Sequence, residues 1–403
     1  MLFDALSDLL KHSLDEGQQL LALHLRTLVY QTAPEWFERL PFEDDAAFMS
    51  PYLFAWFTGT SPGSTLPQML CGRLPAVQRP VRTPVRSDCK GRVYLPGYGT
   101  FSTEQPNASG DWIQNDKRGM LRLGDHYTLA TFQPETRLDA HGLVVHTHIP
   151  AVFERFFPLP PLPCAEANIR FPTHELNVAL HDLRHLDPLL YAAIRQVTST
   201  IQLYRSPEPN SFASLSAHGA AFLNCPPDAD RISLLDDIAH QCGHILFNAM
   251  TLQRQATLAI DPETPLRAIA PTVNDMRSIY SAFHGLFTYS LILRSLDARL
   301  HTPGLDPGET LQARGRIAFY LSKFYTDLRN LNHARVFTPL GQLYYARFLQ
   351  TYEAAYARYA SSLKDLDLAQ QPYVFSWTQF LQDNPVSRTL RSAGAAASLA
   401  ALG

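Results

Sequence analysis

Two histidines four residues apart, His240 and His244, carry the sharpest chemical signal in this chain. They lie in Arg231-Ile-Ser-Leu-Leu-Asp-Asp-Ile-Ala-His-Gln-Cys-Gly-His-Ile-Leu-Phe-Asn-Ala-Met250, where Ile232, Leu235, Ile238, Ala239, Leu246 and Met250 recur at helical spacing. On a helix, residues four apart share a face, so the two imidazoles can grip one ion. Asp236, one turn earlier on that face, can ligate the ion or orient an imidazole. The pattern is H-E-x-x-H with Gln241 in the glutamate position. A carboxamide cannot take a proton from a metal-bound water, so the cradle is kept and the hydrolytic base is not.

A third ligand is needed, and His284 offers one. It sits midway along Ser278-Ile-Tyr-Ser-Ala-Phe-His-Gly-Leu-Phe-Thr-Tyr-Ser-Leu-Ile-Leu293, a second apolar helix that can present it to the same point. Three imidazoles with open positions suit zinc or ferrous iron equally. Two other pairs compete. His146 and His148 share one face of the strand Leu143-Val-Val-His-Thr-His-Ile149, where a surface or edge-strand role outweighs a metal site. His181 and His185 have polar flanks and read as a solvated face. Cys242 points away from the histidine face and is expected to pack.

The elements that must position these groups belong to a chain of 403 residues, 46% hydrophobic and 18% charged, with a net charge near −3. That balance gives no electrostatic case for nucleic acid or an acidic membrane surface. No apolar run reaches membrane-spanning length. The N-terminus carries Asp4 and Asp8 and does not read as a signal peptide, and five scattered cysteines argue against a disulfide framework; a cytoplasmic protein is expected.

Residues 1–40 read as helix. From 50 to 165 proline and glycine are dense, with strands or strand-loop pieces expected at Val93-Tyr-Leu-Pro-Gly-Tyr-Gly99 and Tyr127-Thr-Leu-Ala-Thr-Phe132. Phe156-Phe-Pro-Leu-Pro-Pro-Leu-Pro-Cys164 reads as an extended connector. Beyond it the chain is helical: 175–203 broken at Asp187-Pro188, then 313–332, then a helix opened by Thr338-Pro339. That last helix carries an aromatic stripe of Tyr345, Phe348, Tyr352, Tyr356 and Tyr359, read as core. The expected organisation is mainly α (α+β). A mixed α/β region over 1–165, with a possible role in substrate recognition, precedes a helical zincin-like metal-binding catalytic domain over 166–365, followed by a C-terminal tail over 366–403.

With both histidine segments placed, residues from about 176 to 360 resemble the H-E-x-x-H-motif proteins encoded beside ribosomal peptide natural-product (RiPP) genes. The features are Asp187-Pro188, His218-Gly219 before a short strand, His240/His244, Arg277 ahead of His284-Gly285, and Phe337-Thr-Pro-Leu-Gly341. Gln241 and Ser278 depart from that pattern, which has glutamate and proline there. The resemblance implies an Fe(II)- and 2-oxoglutarate-dependent dioxygenase that hydroxylates the β-carbon of a ribosomal precursor peptide. His240, His244 and His284 would hold the iron, and Arg277 would hold the distal carboxylate of 2-oxoglutarate by a two-pronged hydrogen bond. Arg277 lies two helical turns before His284, on nearly the same face and about 10 Å along the axis, a workable distance for a five-carbon diacid; Arg267 and Arg335 are alternates. A zinc peptidase would need another base, such as Asp236, Asp237 or Glu263. A catalytically degenerate, peptide-binding zincin-like protein is the non-enzymatic alternative.

Overall fold

The computed structural model describes residues 6–9, 14–60, 63–114, 119–124, 126–158, 173–208, 210–226, 229–270 and 275–385. The fold is α+β. Its described residues form two compact units: one from 10–184 and 188–252, the other from 1–9, 185–187 and 253–403. The boundary expected near 165 lies outside the described residues. The histidine-pair helix falls in the same unit as the strand-rich region.

In the first unit, α1 (Leu14–Thr32), α2 (Pro34–Phe37), α3 (Pro51–Thr58) and α4 (Leu66–Leu70) lead into a run of short strands. β1 (Arg82–Arg86), β4 (Ser109–Ile113), β5 (Met120–Leu123) and β6 (His126–Thr128) make one antiparallel sheet. β2 (Arg92–Leu95), β3 (Gly99–Ser102) and β7 (Thr131–Pro134) make another. Val85, Val93, Leu95, Phe101, Trp112, Leu121 and Leu123 gather as the core of this region. The stretch from Tyr127 to Phe132 is made of strand and loop pieces: it belongs to two strands in different sheets, with Leu129 and Ala130 outside both.

A third sheet runs β11 (Phe212–Ala213), β12 (Ala220–Asn224), β10 (Thr200–Tyr204), β9 (Leu143–His146) and β8 (Thr136–Leu138). β10 is parallel to both β9 and β12, so β9 is an interior strand. α5 (Thr173–Leu186) and α6 (Pro188–Val197) lie between β9 and β10 in the chain, broken where Pro188 forbids a continuous helix. Gly219 has a φ of +98°, which a side chain would strain, and it makes the turn from His218 into β12. Phe156 and Phe157, expected in an extended connector, instead pack on Phe212 and Phe222, and Ala151–Phe156 is a 3-10 turn. The rest of the connector, from 159, lies outside the described residues.

α7 (Arg231–Met250) completes this unit. Asp230 accepts from the Ser233 N–H at 2.8 Å and Ser233 Oγ accepts from the Asp230 N–H at 2.9 Å, a capping box that fixes the first turn. α1 packs against α7 through Gly17, where a Cβ would stand 1.8 Å from the Ala249 carbonyl oxygen.

The second unit is helical: α8 (Ile279–Leu300), α9 (Pro307–Leu331), α10 (Pro339–Leu363) and α11 (Trp377–Asp383). α8 is buried along nearly its whole length, with α9 and α10 packed on it. Thr338 caps α10 as its sequence implies, accepting from the Gly341 N–H at 3.2 Å. The aromatic stripe splits. Phe348 and Tyr359 are buried and Tyr356 is exposed; Tyr344 and Ala355 complete the buried face. The expected tail is partly folded, because Phe380 of α11 is fully buried and closes on Gly315. Residues 393–403 lie outside the described residues.

Candidate metal centre

The local sequence of α7 sets the geometry of the histidine pair. The His240 and His244 ring centroids are 5.0 Å apart with planes 33° apart. With metal–nitrogen bonds of about 2.1 Å, an ion sits about 3.2 Å from an imidazole centroid, so this separation corresponds to roughly 100° at a shared ion. The pair therefore fits joint ligation. Both rings are partly buried. Burial, and then the neighbouring His240, hold His244 well below the ordinary histidine range, so it is neutral and its lone pair is available.

Gln241 is 2% exposed, and its Oε1 has no hydrogen-bond partner among the described residues. A buried amide oxygen without a donor costs about 1–3 kcal/mol, so this atom fits a site in which a bound group donates to it. Asp236 is fully buried one turn ahead of His240. Cys242 is buried, its thiol pushed up to about 11 by burial, as a packing residue would be. Of the other bases weighed for hydrolysis, Asp237 accepts from Ser211 Oγ at 2.9 Å, and Glu263 pairs with Arg254.

His284 belongs to the second unit, buried in α8 and edge-on to Tyr280 at 5.5 Å. Beside it, Gly285 leaves little room: a Cβ there would meet Tyr289 Oη at 3.3 Å and Asp327 Oδ2 at 3.4 Å. Among the described residues no group of three or more His, Cys, Asp or Glu side chains is gathered to hold a metal.

Arg277 departs from expectation in two ways. Ser278 is the N-cap of α8, so Arg277 precedes the helix and helical rise does not set its height relative to His284. Its guanidinium is also held by two carboxylates. It donates to Asp275 Oδ2 at 2.7 Å and to Asp327 through Nη1 at 3.0 Å and Nη2 at 2.7 Å. Burial pulls its pKa down, but the hydrogen bonds to Asp327 and Asp275 outweigh that and raise it. An incoming carboxylate at Arg277 has to displace Asp275, the more exposed partner. Arg267 and Arg335 are exposed.

Sequence reasoning missed a buried polar cluster around His146. His146 lies on the interior strand β9 and is 3% exposed, so the surface or edge-strand reading is corrected. Its Nε2 is 2.6 Å from Tyr52 Oη, which lies 3.0 Å from Tyr94 Oη, which donates to Glu135 Oε1 at 2.7 Å. These partners are scattered over more than ninety positions, and only the alternation of His146 and His148 marked the place. His181 and His185 are exposed, as read. No helix among the described residues is long and apolar enough to cross a membrane. The chain matches no protein-family model and no curated protein.

Proposed function

We propose that this protein is an Fe(II)- and 2-oxoglutarate-dependent oxygenase of zincin-like architecture that hydroxylates a C–H bond of a peptide, with His240 and His244 as iron ligands and His284 as the third ligand the sequence offers. The observation that carries the reading is the pair of close imidazoles on α7 with a carboxamide, Gln241, where a hydrolase needs a carboxylate. Ferrous iron with 2-oxoglutarate supplies the oxidation when bound: the keto acid, dioxygen and C–H become succinate, carbon dioxide and C–OH.

The residues divide the remaining work. The neutral His244 imidazole binds without first losing a proton. Gln241 Oε1, buried and lacking a donor, accepts a hydrogen bond from a bound group but cannot remove a proton from it. Asp236, buried one turn ahead, would orient the His240 ring. Arg277 supplies the cation for the far carboxylate, with Asp275 as its placeholder.

The test uses protein purified without oxygen and then given ferrous iron, 2-oxoglutarate and air. Succinate should form above a His240→Ala control, and a cognate peptide should gain one oxygen atom by mass. Iron-loaded protein that neither binds 2-oxoglutarate by calorimetry nor forms succinate above that control removes the oxygenase reading. The pairing of Arg277 with two carboxylates favours a second reading in that event: a metal-holding peptide-binding protein.

A further inference from the structure

The end of α1 and the chain that follows it present a row of aromatic rings to solvent. Tyr30 and Phe42 are 58% and 47% exposed. Phe37 joins them, its ring 5.3 Å from Tyr30 and 5.8 Å from Phe42, the second pair with planes 21° apart. On its other side Phe37 rests 5.9 Å from the buried Phe48, which ties the row to the core. Leu23, also exposed, stands two turns before Tyr30 on the same face of α1 and lengthens the row. Exposed rings in mutual contact, rimmed by charge, are the anchors that interfaces use.

The rim is acidic. Phe42, Glu43 and Asp44 line one hollow with Leu40 and Pro41. Glu35, Glu38 and Glu43 are exposed and have no basic partner among the described residues. Asp44 caps the 3-10 turn Asp45–Ala47, and Asp45 is paired with Arg26. The Arg26 guanidinium also lies 5.3 Å from the Phe48 ring centroid. Arg26 thus displays, within the chain, the contact a cation can make beside this row: a ring face and a carboxylate together.

We propose that this surface docks a basic segment of a partner polypeptide, with Lys or Arg stems laid along Phe42 and Tyr30 and their charged heads at Glu43 and Asp44. Charge selects the occupant. The acidic rim repels nucleic acid and anionic lipid. A second copy seated about a two-fold axis would set that rim against itself. A basic side chain satisfies both halves of the surface, since its methylenes cover a ring while its head stays in water beside a carboxylate.

The proposal goes beyond the α7 reading, and its test needs neither iron nor 2-oxoglutarate. A peptide array is probed with the labelled full chain. Bound sequences should be enriched in Lys and Arg beside apolar residues, and binding should fall as salt rises toward about 1 M, where the screening length is about 3 Å. For one bound lysine-rich peptide, Phe42→Ser and Glu43→Lys should each weaken binding at least about tenfold by fluorescence anisotropy. Glu43→Lys should also move the array preference toward acidic peptides. Both positions are exposed, so the variants should melt with the original chain; if Phe42→Ser does not fold, Tyr30→Ser takes its place. An array without basic enrichment, or an affinity that neither substitution lowers, overturns the proposal. So does Phe42-dependent binding to phosphatidylcholine vesicles in place of peptides, or Phe42-dependent self-association.

Discussion

Gly17→Ala is the most direct probe of how the histidine helix is held. A Cβ at Gly17 would lie 1.8 Å from the Ala249 carbonyl oxygen, inside the 3.0 Å that Cβ atoms essentially never breach, so α1 and α7 must part by at least 1.2 Å. Two effects compete. Alanine is the better helix former by about 1 kcal/mol at a helix-interior position. Against it, backbone cannot swing aside as a side chain can, and overpacking of this kind costs about 1–3 kcal/mol, occasionally more. A gap of that width also loosens Leu14, Leu21, Ala22 and Leu25, which α1 buries, and a radial gap of about 1 Å forfeits up to half of each dispersion contact. The clash wins, by a net loss of about 1–2 kcal/mol. Urea unfolding followed by tryptophan fluorescence reads this unit, because it holds Trp36, Trp56 and Trp112. Gly308→Ala, exposed in the first turn of α9 in the other unit, should leave this transition unchanged and serves as the control. A Gly17→Ala protein as stable as the original would refute the reasoning.

Other outcomes follow from the candidate sites. Gln241→Glu should bring no peptidase activity, and cleavage of a peptide library by that variant would contradict the oxygenase reading. Asp275→Asn should tighten 2-oxoglutarate binding by freeing Arg277, while Arg277→Ala should weaken it at least about tenfold, since a charged hydrogen bond is worth about 1.5–3 kcal/mol. Calorimetry showing neither change would make the Arg277 cluster purely structural. Burial holds His146 down at about 3 and His218 at about 4, whereas both return to about 6.5 when unfolded. Their stabilising contribution is thus complete above about pH 6.5 and is lost as pH falls toward the folded values. Between pH 7 and 5 each should cost about 2 kcal/mol, and His218→Gln should flatten the measured slope by that amount.

The parts of the fold legible in the sequence are those set by neighbours in the chain. The extent of α7, the break at Asp187-Pro188 and the Thr338-Pro339 helix start each depend on residues within one or two turns. So do the shared face of His240 and His244 and the burial of Cys242. What the sequence hid depends on distance along it. Asp327, the partner that occupies Arg277, lies 50 positions away, and Tyr52 reaches His146 across 94. The parallel pairing of β9 with β10 leaves no local mark either, so a histidine at period two looked like a solvent face. Arg277 fell outside α8 because Ser278 caps the helix, accepting from the Ser281 N–H at 3.1 Å.

The bidentate grip of Arg294 on Asp187, with Ser7 Oγ accepting from Arg294 Nη1 at 2.9 Å, has a consequence for synthesis. Ser7 leaves the ribosome 287 residues before Arg294, a delay of roughly 15–60 s at ordinary elongation rates. During that interval Leu6 and Leu9, buried in the finished protein, have no native unit to enter, which makes the nascent segment that carries them a natural client for a holding chaperone. The same arrangement bears on attempts to isolate the helical unit. A fragment beginning at 253 would carry Arg294 without Asp187, and removing one partner of a buried ion pair costs about 3–5 kcal/mol. Its missing partners would have to be supplied in trans, as a peptide spanning the first turn and a second carrying the Asp187 loop.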